Sequence, residues 1–236
     1  MTESLVSVII PVLNEGERLA PLLRALMDQP ELREAIVVDG GSVDDSVRVA
    51  SDCGARVIRA ERGRGAQLRA GAEVACGDIL LFLHADTVFP SGGLGAVRRS
   101  LADRPVVLGG NFKLLFDGPR RFDRWLEGFY AWIRSKGLYY GDSGIFIRRE
   151  RYRRLGGIRP IALMEDYDLV QRMEAAGPTV CIEDPSLTTS SRRFHGRHPV
   201  AIFLGWVGIH ALYRLGLTGA RLARLYDSER RRERVL

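Results

Sequence analysis

At 236 residues, 46% hydrophobic and 27% charged, the chain can bury one sizeable α/β core, and without low-complexity tracts or internal repeats it is not a disordered or repeat protein. A formal net charge of +6 calls for an anionic partner, yet the basic residues sit in short scattered clusters (Arg120 and Arg121, Arg148 and Arg149, Arg192 and Arg193, Arg230 to Arg232) with no nucleic-acid-binding motif. DNA and RNA are therefore disfavoured against a phosphate-rich small substrate or a membrane surface.

Cys53, Cys76 and Cys181 show neither a disulfide framework nor zinc-site spacing, and the opening "MTESLVSVIIPV" has Glu3 in place of a basic leader region. A reducing, cytoplasmic setting is expected.

In chain order, "SVIIPVL" (7–13) is a short β-branched run that stops at Asn14 and Glu15, as a buried parallel strand does. Leu19, Leu22, Leu23, Leu26 and Met27 follow at helical spacing, with Pro21 expected in the first turn. "AIVVD" (35–39) is a second strand, after which Ser42 and Asp45 suggest a capping box for a second helix. "RVIRA" is a third strand, "GRGAQLRAGAEVA" a glycine-rich turn and helix, and "DILLFLH" a fourth strand. Strands alternating with helices, each strand apolar on both faces, predict an α/β protein with a parallel, doubly wound sheet.

Near residue 100 the rhythm changes. "GGNFKLLF" (109–116) reads as a strand, and "RFDRWLEGFYAWI" as a helix with Trp125, Phe129, Trp132 and Ile133 on a core-facing side. "MEDYDLVQRMEAAG" is an acid-led helix and "TVCIED" a strand, which gives one domain of two lobes.

In open α/β sheets, ligands lie beyond the carboxyl ends of the strands. Asp39 ends the second strand, and Asp86 in "LLFLHADT" (80–87) lies just past the fourth. Gly40 and Gly41 allow close backbone approach to a base or ribose, while a plain turn-capping role for Asp39 stays open. Neither G-x-G-x-x-G nor the P-loop pattern is present.

Five stretches, "SVIIPVLNE", "VVDGGSVDDS", "GRGAQLRAGAEVACGDILLFLHADT", "GDSGIFIRRERYRRLGG" and "MEDYDLVQRM", are similar in order and spacing to the inverting family 2 glycosyltransferases of the GT-A fold. The likeness covers roughly residues 5–185. It extends to the bacterial subgroup with H-A-D in place of D-x-D, some of whose members are assigned to glycosylating a carotenoid acid. It implies a Rossmann-like nucleotide-binding half (about 5–100) with a mostly parallel central sheet flanked by helices. A smaller catalytic and acceptor-binding half (about 101–185) and a basic helical extension (186–236) follow.

The implied reaction moves a sugar from a nucleotide-diphosphate sugar, UDP by family bias, to a hydroxyl or carboxyl acceptor with a divalent cation, Mn²⁺ or Mg²⁺. By resemblance, Pro11, Asn14 and Glu15 line the nucleotide site, and Asp39 with Gly40 meets the base. Gly65 and Arg69 lie on the diphosphate side, Ala85 and Asp86 close the D-x-D position with Asp86 on the cation, and Gly141 with Asp142 runs beneath donor sugar and acceptor. Glu165 and Asp166 match the E-D pair, with Asp166 as general base.

The chemistry fits these roles. A departing diphosphate gathers negative charge, which a cation on hard oxygen ligands neutralises, and an aspartate ionised at neutral pH can take the acceptor's proton. Glu165, Asp166 and Asp168 cannot all share one helical face, since neighbours are separated by roughly 100°.

The chain departs from the pattern in places. His84 stands where an acid is usual and reads either as a nitrogen ligand to the cation or as a core histidine; Arg69 replaces Asn and either reaches the diphosphate or is solvated; Ser143 replaces Gln. His195 and His198 read as loop ligands or as solvated side chains. "AIFLGWVGIHALY" (201–213) is uncharged but shorter than the ~20 residues of a membrane span. With the basic tail it reads as an interfacial helix on the inner leaflet, which favours a lipid-like acceptor, or else as a core or homo-oligomer helix.

Two other function classes stay open. A sugar-phosphate nucleotidyltransferase calls for a glycine-rich basic loop directly after the first strand, where this chain has "PVLNEGERLA". A non-catalytic nucleotide-sugar binding module has no use for both Asp86 and Asp166.

Overall fold

The computed structural model describes residues 4–222 except 103, 119–120, 192–198, 218 and 220. His195, His198 and the Arg-rich tail lie outside the described residues.

The first half alternates as expected: β1 (Val6–Val12), α1 (Gly16–Met27), β2 (Leu32–Asp39), α2 (Ser46–Asp52), β3 (Arg56–Arg59), α3 (Arg64–Val74) and β4 (Ile79–Phe82). A two-residue strand β5 (Thr87–Val88) and α4 (Gly93–Ala102) lead into β6 (Gly109–Phe116) and α5 (Arg121–Arg134). A 3-10 turn at Gly141–Ser143, β7 (Ile145–Arg148), α6 (Arg149–Arg154), α7 (Glu165–Ala176), β8 (Thr179–Thr189) and α8 (Pro199–Arg214) complete the described chain.

The eight strands form one sheet in the order β3-β2-β1-β4-β7-β6-β8-β5. Neighbours from β3 to β4 run parallel, β7 is antiparallel to both β4 and β6, β6 and β8 are parallel, and β5 is antiparallel to β8. β1 lies between β2 and β4, so the order reverses there, and the loops after β1, β2 and β4 meet at one edge.

Alternate residues of β1 supply two cores, which is why its apolar run is unbroken. Val8 and Ile10 pack with Leu19, Leu23 and Leu26 of α1 on one face, while Ile9 packs with Leu68 of α3 and Leu169 of α7 on the other.

Three local expectations change. Pro21 lies inside α1, beyond its first turn. Ser42 and Asp45 form no capping box; Asp44 Oδ1 instead accepts from the Ser46 N–H at 3.0 Å. In α5 the buried apolar residues are Leu126, Tyr130 and Ile133, while Trp125 and Trp132 face outward. That helix carries two apolar stripes, and the sheet covers only one. Among the described residues no helix is long and apolar enough to cross a membrane.

Gln67 fastens α3 to the carboxyl ends of the central strands. Its buried Nε2 donates to Val12 O at 2.9 Å and to Val38 O at 2.8 Å. Gln67→Leu keeps the volume but removes both bonds, so urea denaturation should show a loss of roughly 1–3 kcal/mol; an unchanged midpoint would contradict this role.

Candidate active site

Two loops at the carboxyl ends of β1 and β2 are bound to each other. Asn14, at φ 55°, accepts the Val43 N–H on Oδ1 at 2.8 Å, and its own N–H donates to Ser42 Oγ at 3.0 Å. Asn tolerates this left-handed conformation better than most residues. The Glu15 N–H donates to Ser46 Oγ at 2.9 Å and the Gly16 N–H to Asp44 Oδ2 at 3.1 Å.

Asp39, 1% exposed, accepts N–H bonds from Gly41 at 3.2 Å and Ser42 at 2.9 Å. Burial alone would raise its pKa, but the bonds from Ser42 and Gly41, with Arg59 nearby, hold it below the ordinary value. Asp39 thus organises its own turn. Pro11 and Gly40 complete this wall, with Gly40 packed on Gln67.

The second part gathers around Arg64, the first residue of α3. Its Nε donates to Glu165 Oε1, its Nη2 to Asp166 Oδ2 at 3.0 Å, and its Nη1 lies 3.3 Å from His84 Nε2. A guanidinium can only donate, so this His84 nitrogen is the acceptor. Gly65 lets α3 come this close, since a Cβ there would lie 2.9 Å from the carbonyl oxygens of Arg159 and Ile161.

Asp166 also accepts the Gly141 N–H at 2.8 Å and the Tyr167 N–H at 2.8 Å. A Cβ on Gly141 would lie 3.0 Å from Asp166 Oδ2 and 3.2 Å from His84 Nε2, so any other residue would press on both side chains. The acids enter α7 from Met164, buried and held at φ 71°, a conformation rare for such a side chain and found where a site fixes the backbone.

An aromatic wall adjoins Asp166. Tyr140 stacks on Tyr167 with ring centroids 6.1 Å apart, and the Tyr140 hydroxyl lies 2.7 Å from His210 Nε2. His210 Nδ1 faces Trp206 O at 3.1 Å, which makes Nδ1 the protonated nitrogen and Nε2 the acceptor of the Tyr140 hydroxyl. Burial lowers the His210 pKa and raises that of Tyr140, so both are neutral near pH 7. Asp142 accepts the Tyr130 hydroxyl at 2.9 Å, which fixes the 3-10 turn.

Comparison with known proteins identifies the family and the fold. The family described as "Glycosyl transferase family 2" matches residues 7–155. The chain belongs to this family. Over 93 residues it is 36% identical to 4,4'-diaponeurosporenoate glycosyltransferase of Staphylococcus haemolyticus, a match covering 36% of this chain and 25% of that relative.

The chain thus spans only about a quarter of that relative's length. In fold it is similar to the mannosyltransferase PcManGT of Pyrobaculum calidifontis in complex with GDP-Man and Mn²⁺ (TM-score 0.65, 21% identity, 92% of this chain and 66% of that one). It is also similar to glucosyl-3-phosphoglycerate synthase of Mycobacterium tuberculosis in complex with Mn²⁺, UDP and glucosyl-3-phosphoglycerate (TM-score 0.62, 20% identity, 91% and 81%).

Within this family 2 chain the structure brings His84, Gly141, Glu165 and Asp166 together around Arg64, with Gly65 beneath and Ala85 buried beside His84. Asp86, half-buried, lies directly past β4. Of the two readings of Arg69 the structure has the solvated one: it is exposed, with its Nε paired with Glu73 at 2.9 Å, while Arg64 lies in the cavity. Arg64 and the Tyr140, Tyr167 and His210 wall were not singled out from the sequence. The signals were the Gly-Arg-Gly start of α3 and a lone histidine in an otherwise apolar helix.

The two neighbouring acids diverge. For Asp166, burial is outweighed by Arg64 and the Gly141 and Tyr167 N–H groups, which hold its carboxyl below the ordinary value. Glu165 is raised, because burial together with the Asp166 charge outweighs Arg64. Asp166 is the ionised member.

This fixes a stability prediction. A depressed Asp166 stabilises the fold above its unfolded pKa of about 3.9, and that contribution is lost as pH falls through the folded value; a raised Glu165 acts in the opposite sense. Arg64→Met removes the cation and raises both acids, so its deficit should be largest at neutral pH. Roughly 1–3 kcal/mol is expected there, below the cost of breaking a fully buried pair because the Arg64 side chain is 35% exposed. Urea midpoints should draw together as pH falls from 7 and meet only below about pH 3.9, where the wild-type Asp166 is itself protonated; a pH-independent deficit would contradict the ion cluster.

Proposed function

We propose that the chain is an inverting glycosyltransferase that moves a sugar from a nucleoside-diphosphate donor, UDP-linked in our reading, to the hydroxyl or carboxyl of a lipid-like acceptor at the cytoplasmic face of a membrane. The observation that carries this reading is the Asp166 carboxylate held by Arg64 and two backbone N–H groups at the carboxyl edge of the sheet.

All three acids that open α7 are paired with arginines. Glu165 is 1% exposed and bonded to Arg64, Asp168 is clamped by Arg159 at 3.0 Å and Arg172 at 2.6 Å, and Asp166 shares Arg64 at 3.0 Å. Of the three, Asp166 lines the cavity with His84 and Gly141, and it is the one we assign as base. The acceptor O–H gives its proton to Asp166 as the oxygen bonds to the anomeric carbon, and the sugar's bond to the nucleoside diphosphate breaks on the opposite side.

Asn14, Glu15, Asp39 and Gly40 wall the base side of the donor. Tyr140 and Tyr167 give the acceptor side flat surfaces of the kind that suit sugar or polyene faces.

Among the described residues no three His, Cys, Asp or Glu side chains gather as a metal set. A site with a single carboxylate, Asp86, suits Mg²⁺ or Mn²⁺, which take one or two carboxylates and complete their shell with phosphate oxygens and water. Asp86 would hold the cation, with His84 beside it, and the cation would neutralise the charge of the leaving diphosphate. The Mn²⁺ in the two solved relatives supports this.

Two measurements test the reading. Asp86→Ala should abolish the Mn²⁺-dependent part of nucleoside-diphosphate binding in calorimetry while leaving the thermal melt intact; unchanged metal dependence would remove Asp86 as the ligand. Asp166→Asn should lower kcat by about 10² to 10⁴ with donor affinity nearly unchanged, whereas a near-normal single-turnover rate would eliminate it as base.

A further inference from the structure

The outward faces of α5 and α8 form one apolar surface. Trp125 and Trp132 are 48% and 59% exposed on α5; Phe203, Leu204 and Val207 are 39%, 62% and 49% exposed on α8. Phe129 joins the helices, stacked on Trp125 at 5.4 Å and on Trp206 at 6.0 Å, with Phe203 edge-on at 6.0 Å. Isolated exposed apolar residues are ordinary, but a contiguous two-helix face of this kind marks an interaction site.

Charge indicates the partner. The exposed charged residues of these helices and their ends, Arg121, Arg124, Lys136 and Arg214, are all basic. The acids of α5 are turned away from this face: Asp123 is buried, and Glu127 accepts the Phe116 N–H at 3.1 Å. A second copy docking on the same face would bring like charges together, whereas an anionic leaflet complements them. Tryptophans beside a short uncharged helix with a basic rim suit the headgroup boundary of a bilayer.

The opposite side of α8 reaches the candidate site. Trp206 meets Tyr130, His210 meets Tyr140 and Tyr167, and Tyr213 meets Tyr167, the neighbour of Asp166. We infer that the α5–α8 face docks on an anionic bilayer with α8 lying in the interface, so that an acceptor held in the membrane meets Asp166 along the Tyr140–Tyr167–His210 wall. The docking stands on the surface itself; its link to the acceptor rests on the proposed transferase reaction.

The test is co-sedimentation of the full chain with vesicles of phosphatidylglycerol mixed with phosphatidylcholine, or of phosphatidylcholine alone, at low and high salt. The full chain should pellet with the anionic vesicles, and several-fold less at high salt or without phosphatidylglycerol. The double variant Trp132→Ser with Leu204→Ser, both exposed, should keep its melting temperature and bind about tenfold or more weakly, as expected when two large apolar side chains are removed from an apolar phase.

Protein that stays in the supernatant throughout, or a double variant that pellets like the parent, would overturn the proposal. So would light scattering that shows a dimer dissolved by the same two substitutions, which would assign the face to a second copy. Asp166→Asn should pellet normally. A parent chain that turns over but binds no vesicles would thus sink the docking alone, and an Asp166→Asn variant that binds vesicles and turns over like the parent would sink the proposed reaction alone.

Discussion

The site depends on one guanidinium. Arg64 opens α3, next to a glycine that lets the helix approach the turn before α7, and it holds two buried carboxylates that would otherwise repel each other. One cation for two acids cannot satisfy both equally. Asp166, which also has two backbone N–H donors, takes the charge, and Glu165 is pushed the other way. A neutral side chain at position 64 would leave neither acid with a defined role.

The sheet makes this cluster possible by where its strands stop. β1, β2 and β4 run parallel and end at one edge, so Asn14, Asp39 and Asp86, far apart in sequence, all lie at or just past strand ends on that edge. β7 then enters antiparallel beside β4 and brings the Gly141–Ser143 turn to the same edge, where Gly141 fits between His84 and Asp166. Gln67 and the bonds between the two loops keep that edge from opening.

Much of this was legible in the sequence. Unbroken β-branched runs ending in polar residues located β1, β2 and β4, and the acids at or just past strand ends followed from the rule for open sheets. What was not legible depended on choosing between faces. Arg64 and Arg69 lie five residues apart on α3, on different sides of the helix; only the packing of Gly65, Leu68 and Ala72 decides which arginine meets the cleft.

The same ambiguity affected α5, whose two apolar stripes have equal periodicity, so that Trp125 and Trp132 read as core although the sheet covers Leu126, Tyr130 and Ile133. His210 acts through contacts 43 residues or more distant in sequence, which no local pattern encodes.

The proposed reaction gives one carboxylate, Asp166, the part of base and calls for no covalent glycosyl intermediate, so it predicts transfer in one displacement. Proton NMR of the product, made from a nucleotide sugar of known anomeric configuration, tests this most directly. Inversion at the anomeric carbon is the expected result, and a product that retains the donor's configuration would contradict the account.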